Sequence, residues 1–96
     1  MQVLVLRAEL HLPAAQSLKA KRSLVTPMVR HLDRLTGVGA AEVDHQDKWQ
    51  RTALAVSVVG GTVGVVERTM DDVERYLWSR PEAEVIELDR SWWEES

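Results

Sequence analysis

Residues 51–77, RTALAVSVVGGTVGVVERTMDDVERYL, decide the fold because their apolar period changes at a pair of glycines. Before the glycines, Leu54, Val56 and Val58 alternate with small or polar residues, which is typical of a half-buried strand. After the glycines, the apolar residues recur at helical spacing, as Val63, Val66, Met70, Val73 and Leu77. This stretch therefore predicts a strand over residues 51–59 and then a helix that ends before Pro81.

A similar strand and helix precede this unit in the chain. Residues 2–12 alternate between apolar and polar side chains, and Pro13 ends the predicted strand. Ser17 is well suited to cap a helix whose apolar face continues to about Thr36. Pro27 falls inside that helix and removes one backbone hydrogen bond. Because the apolar register passes through it unbroken, we predict one kinked helix; the alternative is a second helix that starts there.

Two further strands complete the pattern. The alternating pattern of residues 38–45 predicts a strand with Ala41 and Val43 on its inner face. A polar turn then joins this strand to residues 51–59 as a hairpin. The last strand is predicted at residues 83–90, with the side chain of Ile86 directed inward.

The order strand, helix, strand, strand, helix, strand contains two crossover units of similar length. Such units interleave into a ferredoxin-like sandwich, an α+β fold with a four-stranded antiparallel sheet and two helices on one face. We expect residues 1–90 to form this single domain and residues 91–96 to form a short C-terminal tail. The predicted core contains Leu6, Leu10, Val25, Leu32, Val56, Met70, Val73 and Ile86.

The composition is that of an ordinary soluble domain. The chain has 96 residues, of which 45% are hydrophobic, and it contains no cysteine, so disulfides and thiolate metal sites are excluded. No apolar stretch approaches the ~20 residues that cross a bilayer, and no signal peptide is evident. We therefore expect a cytoplasmic protein without membrane association.

The first predicted helix concentrates positive charge. Residues 1–41 carry six basic and two acidic side chains, whereas residues 42–96 carry six basic and thirteen acidic ones. Five of the basic groups lie on this helix: Lys19, Lys21, Arg22, Arg30 and Arg34. Since a helix N-terminus already attracts anions, these cations predict contacts with the phosphates of RNA. The alternative is a solvated basic face that is partly paired with nearby acids.

The hairpin turn is unusually polar and predicts a second recognition surface. Its members are Asp44, His45, Gln46, Asp47, Trp49, Gln50 and Arg51. Alternation places Glu42 and Asp44 on the outer sheet face, where we expect an ion-pair network with Arg51. The same alternation directs His45 toward the helices. Trp49 is suited to stack on a base, although such a residue also commonly covers the edge of a core.

Catalytic, metal and cofactor chemistry find little support in the residue pattern. A metal site would need His11, His45 and Asp47 to converge, and no helical HxxxH pair or thiolate supports one. Asp44 and His45 are the best candidates for acid–base chemistry, but no nucleophile accompanies them at a suitable spacing. Because the glycine-rich loops that hold nucleotides are also absent, we expect no metal, no cofactor and no enzymatic activity.

Two separated motifs closely resemble the YlxP-like family of small bacterial proteins of unknown function. The first consists of ELHLP and SLKAKR at residues 9–13 and 17–22, and the second consists of AEVDHQD and WQR at residues 41–47 and 49–51. The resemblance, which covers almost the entire chain, implies a ferredoxin-like single domain. It also implies a genomic setting beside translation initiation factor two and ribosome-binding factor A, and hence a role near ribosome assembly or translation. Where the family pattern has an acid, this chain has Ala20, which makes the helix start more positive.

Two function classes follow from these observations. The leading hypothesis is a non-enzymatic accessory protein that binds ribosomal RNA or a ribosome assembly intermediate through the basic first helix. The rival is a protein-interaction module or homodimer that uses the charged sheet face or an edge strand. Salt dependence separates the two, because counterion release makes RNA binding fall steeply as salt rises.

Overall fold

The computed structural model describes residues 1–94 and confirms the ferredoxin-like fold. Its elements are, in chain order, β1 (Gln2–His11), α1 (Leu18–Asp33), β2 (Val38–Asp44), β3 (Arg51–Gly60), α2 (Val63–Trp78) and β4 (Glu84–Trp93). The strands form one antiparallel sheet in the order β2-β3-β1-β4. Both helices pack on one face of this sheet, and we call the opposite surface the outer face.

Each helix begins at a hydroxyl cap. Ser17 Oγ accepts a hydrogen bond from the amide of Ala20 at 2.9 Å, and Thr62 Oγ1 accepts one from the amide of Val65 at 3.2 Å. Pro27 lies inside α1, which continues on both sides of it as one helix. The prediction of a single first helix is therefore confirmed, and the alternative of two helices is wrong.

The core lies between the sheet and the two helices, and seven of its eight predicted members are buried. Ile86 is the exception, with 50% of its surface exposed. A β-bulge explains the difference, because Glu9 pairs with Glu87 whereas Leu10 pairs with Val85. Ile86 is the additional residue between these pairs, and a bulge redirects the side chain that it inserts.

The two faces of β2 are reversed as far as Glu42 with respect to the sequence-based prediction, whereas Asp44 keeps its expected outer position beside Arg7. Ala40 packs against the core, whereas Ala41 is exposed and Val43 is 46% exposed. Glu42 lies opposite Leu54 on the helix side of the sheet, so its expected outer position is wrong. Alternation with a period of two holds from Val38 to Glu42, and the register with β3 decides which of the two sets of side chains faces inward.

The last strand is longer than expected from the sequence. Residues 91–93, which we assigned to a tail, pair with β1 as the final part of β4. Trp92 lies opposite Leu4 on the helix side, and Trp93 lies opposite Val3 on the outer face. Residues 95–96 of the expected tail lie outside the described part of the chain.

Candidate functional site

Lys21 is buried, with 2% of its surface exposed, although the sequence suggested a place in an exposed basic cluster. Its ammonium group donates a hydrogen bond to the carbonyl oxygen of His45 and lies 3.0 Å from Glu42 Oε2. The same carboxylate oxygen accepts a hydrogen bond from Thr52 Oγ1 at 2.5 Å. A buried ammonium costs several kcal/mol unless it is paired, and these contacts supply that pairing. Lys21 therefore holds α1 against the hairpin and is not available to RNA at the surface.

The sequence did contain a signal for this burial. The buried residues of α1 are Lys21, Val25, Met28 and Leu32. At about 100° per residue these four side chains fall on one narrow stripe of the helix, with Lys21 at its first turn. The spacing of Lys21 from the apolar residues of α1 therefore predicts that its side chain points inward, whereas its charge alone predicts that it is exposed.

The other three cations of α1 and Arg34, which caps its C-terminus, are exposed and share one side of the helix. We call this set the basic stripe; it consists of Lys19, Arg22, Arg30 and Arg34. They fall within about 120° of the helix circumference and extend over roughly 22 Å of its length. Within residues 1–94, none of them lies within 4.0 Å of a carboxylate oxygen. The first turn of α1 also lacks an acidic residue, so its positive potential is not offset locally.

Glu9 is the centre of a charged cluster on the outer face. Its carboxylate accepts hydrogen bonds from Arg7 Nη1 at 2.6 Å and from Arg51 Nη2 at 3.0 Å. The ring nitrogen Nε2 of His45 lies 3.2 Å from Glu9 Oε1. Burial alone would raise the pKa of Glu9, but the hydrogen bonds from Arg7, Arg51 and His45 outweigh it and lower the pKa to about 2.

His45 connects the two faces of the sheet at the end of β2. Its carbonyl oxygen binds Lys21 on the helix side, whereas its ring lies beside Glu9 on the outer face. The expectation that the ring points toward the helices is therefore wrong. The backbone of His45 has φ +63, a left-handed conformation that is uncommon outside glycine and asparagine. This turn of the backbone allows one residue to contact both faces.

The predicted ion-pair network of Glu42, Asp44 and Arg51 is wrong. Glu42 pairs with Lys21 on the helix side, Asp44 lies 3.2 Å from Arg7, and Arg51 binds Glu9. A register shift between Glu42 and Asp44 is the physical reason. It makes Val43 an additional residue, so these two acids, which alternation would place together, lie on opposite faces.

The remaining members of the predicted second surface lie in the turn between β2 and β3. Gln50 Nε2 donates to the carbonyl oxygen of Pro13 at 3.1 Å, which joins this turn to the segment that follows β1. Trp49 is 52% exposed and lies outside the hydrophobic core. Gln46 and Asp47 are exposed. Together with the contact between Lys21 and His45, the hydrogen bond from Gln50 to Pro13 brings the two sequence motifs next to each other.

A cleft of about 190 Å³ lies where α1 meets the end of β2. Lys21 and Glu42 line it together with Arg22, which also belongs to the basic stripe, and with Gln46 from the turn. Apart from Val25 and Thr26 of α1, the residues that line this cleft come from the two sequence motifs. It is thus a meeting point of the basic stripe and the predicted second surface.

In the part of the chain that the structure describes, no group of three or more histidine, aspartate or glutamate residues is arranged to hold a metal ion. Neither α1 nor α2 is long and apolar enough to cross a membrane.

Fold and site together define a small ferredoxin-like α+β protein whose two motifs meet around a buried lysine. Comparison with known proteins agrees with this description. A family model described as "Protein of unknown function (DUF503)" matches residues 3–90. The chain is 30% identical over 70 residues to "Uncharacterized protein YlxP" of Bacillus subtilis (strain 168), which covers 73% of this chain and 76% of the relative. The protein belongs to the DUF503 family, and the resemblance to YlxP-like proteins is confirmed.

Proposed function

We propose that this protein is a non-catalytic accessory protein that binds structured RNA through the basic stripe. The observation that carries the proposal is that four exposed cations share one side of α1 without a carboxylate partner among residues 1–94. Exposed lysines and arginines in this arrangement are the electrostatic footprint of a phosphate-binding surface. Ribosomal RNA, or an intermediate of ribosome assembly, is the partner that the genomic setting of YlxP-like proteins suggests.

Several cations elsewhere in the protein are paired with acids, unlike those of the basic stripe. On the outer face Arg7 and Arg51 bind Glu9, and Arg90 binds the acids of α2, with its Nη2 2.7 Å from Asp71 Oδ1. The protein also has a formal net charge of −3, so a general attraction to nucleic acid is weak. These facts favour binding that is confined to α1 and has a fixed orientation.

The helix that carries the stripe is held at both ends. Near its start, the ammonium of Lys21 binds the carbonyl oxygen of His45. At its end, Asp33 Oδ1 accepts a hydrogen bond from the amide of Ala40 on β2 at 3.3 Å. A helix anchored in this way presents its cations at constant spacing, which suits recognition of a rigid phosphate backbone.

The experiment compares two triple variants that remove the same charge. One removes cations of the stripe, by Lys19→Gln, Arg22→Gln and Arg30→Gln; the other removes exposed cations elsewhere, by Lys48→Gln, Arg68→Gln and Arg75→Gln. Each is titrated with ribosomal RNA fragments over a series of salt concentrations. Loss of three phosphate contacts should flatten the salt slope by about two to three units for the stripe variant alone. Equal affinities and equal slopes for both variants would contradict the proposal.

A second candidate function is self-association through the outer face. The strand registers place Val3, Val59 and Trp93 in one row at the end of that face, and Val59 and Trp93 are each about half exposed. The area of the outer face is about 600 Å² per copy, since four strands lie ~4.8 Å apart and a strand of ten residues is ten times ~3.3 Å long. Two such faces would bury about 1,200 Å², the lower limit for a stable interface. The occupant that fits is therefore a second copy of this chain.

Sedimentation velocity tests this candidate. Val59→Lys should convert a dimer to a monomer, because it places a charge in the apolar row. Val65→Lys is the matched control, since Val65 lies on α2 and is similarly exposed. A wild-type protein that sediments as a monomer at all concentrations would contradict self-association.

A further inference from the structure

β4 forms an open edge of the sheet. In the strand order β2-β3-β1-β4 it pairs with β1 alone, so alternate amide and carbonyl groups along its other side point away from the sheet. Among residues 1–94, no backbone–backbone hydrogen bond joins Glu84–Trp93 to any element other than β1. An exposed row of unpaired backbone groups is the usual template for binding an extended peptide as an additional strand.

Other parts of the sheet edge are protected. On β2, the amide of Val38 donates to the carbonyl oxygen of Leu35 at 3.1 Å, and the amide of Ala40 donates to Asp33 Oδ1 at 3.3 Å. Two amides that β2 directs away from β3 are therefore already bonded. In β4, the bulge at Ile86 interrupts the first part of the strand, and bulges discourage pairing with a further strand. The segment that follows the bulge is the one left open.

The open segment of β4, residues 87–93, has different chemistry on its two sides. On the outer face it carries Glu87 and Asp89, which are exposed and, within residues 1–94, have no cation within 4.0 Å of their carboxylates. On the helix side it carries Leu88 and Trp92, which are both partly accessible. A strand added here would therefore meet acids on one side and apolar groups on the other.

Acidic groups also surround this edge. Residues 63–94 carry nine acidic and four basic side chains, whereas residues 1–62 carry five acidic and eight basic ones. Beside the open segment, α2 contributes Asp71 and Glu74, and Arg90 of β4 binds both of them. Because α1 packs on β2, the basic stripe and the open segment lie toward opposite edges of the sheet. The charge around β4 therefore favours a basic partner and repels RNA.

We propose that residues 87–93 bind an extended basic segment of another protein as a fifth strand of the sheet. The lysines or arginines of that segment lie beside Glu87 and Asp89, and the apolar residues that alternate with them contact Leu88 and Trp92. Backbone hydrogen bonds supply affinity, and this alternation supplies specificity. The inference goes beyond the proposed function, since it requires no RNA.

A second copy of this chain is a poorer occupant of the same edge. Two β4 strands paired with each other would place Glu87 and Asp89 of both copies on one face, where like charges repel. The arginines of the outer face do not offset them, because Arg7 and Arg51 bind Glu9. The acidic side chains thus discourage self-pairing and attract a basic strand.

The probe is a short peptide in which lysine and valine alternate along about nine residues, enough to span the open segment. Three peptides are compared with it by titration calorimetry. One alternates glutamate and valine, one holds the same lysines and valines in two separate blocks, and one is the original peptide with N-methylated amides. Each should bind about tenfold more weakly or not at all, because it lacks the charge, the alternation or the backbone donors.

Amide hydrogen exchange shows whether the peptide pairs with β4. In the complex, outward amides of residues 87–93 should exchange about tenfold more slowly than in the free protein, because they become hydrogen bonded. The amide of Ala40 on the opposite edge should not change, since Asp33 already binds it.

Two double variants test the role of charge. Glu87→Gln with Asp89→Asn should weaken binding of the lysine–valine peptide about fivefold to tenfold, because two exposed ion pairs are lost. Asp47→Asn with Asp72→Asn is the matched control, since it removes the same charge at exposed positions outside β4. The control should bind the peptide as the wild type does.

The other outcomes would overturn the proposal. Failure of the lysine–valine peptide to bind would overturn it directly. Equal binding of the block or the N-methylated peptide would indicate charge attraction without strand pairing. Protection of the β4 amides that appears without peptide and rises with protein concentration would assign this edge to a second copy of the chain.

Discussion

The ammonium of Lys21 donates a hydrogen bond to the carbonyl oxygen of His45, and this contact joins the two sequence motifs. Lys21 lies in the first turns of α1, and His45 follows the last residue of β2. Because the ring of His45 lies beside Glu9 on the other face of the sheet, the buried lysine is linked to the outer charged cluster through one residue. The most polar parts of the sequence are therefore partly structural.

Removal of the buried ammonium should destabilise the protein. We expect Lys21→Met to lower the free energy of unfolding by about 2 to 4 kcal/mol, somewhat less than a fully buried pair would lose, because Glu42 is partly exposed. Urea denaturation measures this change. Lys19→Met is the matched control on the exposed side of α1 and should change stability by less than ~0.5 kcal/mol. A Lys21→Met variant as stable as this control would show that the pairing does not hold the helix.

The same pair predicts a compensating variant. In the double variant Lys21→Met, Glu42→Leu, both charges are replaced by apolar side chains, so no unpaired charge is left near the core. We expect it to recover at least half of the stability that Lys21→Met loses. A double variant less stable than the single one would indicate that Glu42 has another essential contact.

Core packing predicts a large contrast between two aliphatic residues. Leu32→Ala should lower the free energy of unfolding by about 2 to 5 kcal/mol, because this side chain is completely buried. Ile86→Ala should cost less than ~1 kcal/mol, because the bulge in β4 leaves Ile86 half exposed. Chemical denaturation measures the free energy of unfolding of both variants. Similar losses of that free energy would mean that the register of β4 differs from the one described.

The lowered pKa of Glu9 predicts a specific acid dependence. Its pKa is about 2 in the folded protein and 4.5 in an ordinary environment, so folding favours the ionised form. This stabilisation is fully present above about pH 4.5 and is lost as the pH falls toward about 2. Glu9→Gln should therefore lower the free energy of unfolding at neutral pH. Between about pH 4.5 and 2, that free energy should fall less in the variant than in the wild type.

Glu67→Gln is the control for the acid dependence, since Glu67 is exposed on α2. It should retain the wild-type profile of unfolding free energy against pH. If Glu9→Gln also retained that profile, the hydrogen bonds from Arg7, Arg51 and His45 would not account for acid sensitivity.

Double-mutant cycles separate the observed ion pairs from the expected network. Glu9 and Arg51 should show a coupling of roughly 0.5 to 1.5 kcal/mol, because they are hydrogen bonded and Glu9 is nearly buried. Asp44 and Arg51 should show almost none, because each binds a different partner. The reverse result would restore the network that alternation alone predicts.

The sequence by itself determined the kinds of elements, their order and the fold class. Apolar periods of two and of about 3.6 residues are local properties, and a serine or threonine cap acts within one helical turn. The rules for crossover connections then leave few topologies for this order of strands and helices. The exposed positions of Lys19, Arg22, Arg30 and Arg34 were also predictable, since one helical face contains them all.

Only the tertiary structure decided which side of β2 faces the helices and which charged groups meet. Alternation shows that neighbouring side chains of a strand point to opposite faces of the sheet. The register with β3 decides which of the two sets faces the helices. Bulges at Val43 and Ile86 change the alternation without a clear local signal, because they arise from pairing with a distant strand. The contact between Lys21 and His45 likewise depends on the packing of α1 against the end of β2. Because this packing removes the ammonium group from water, Lys21 must bind partners within the protein, and it thereby links the two elements.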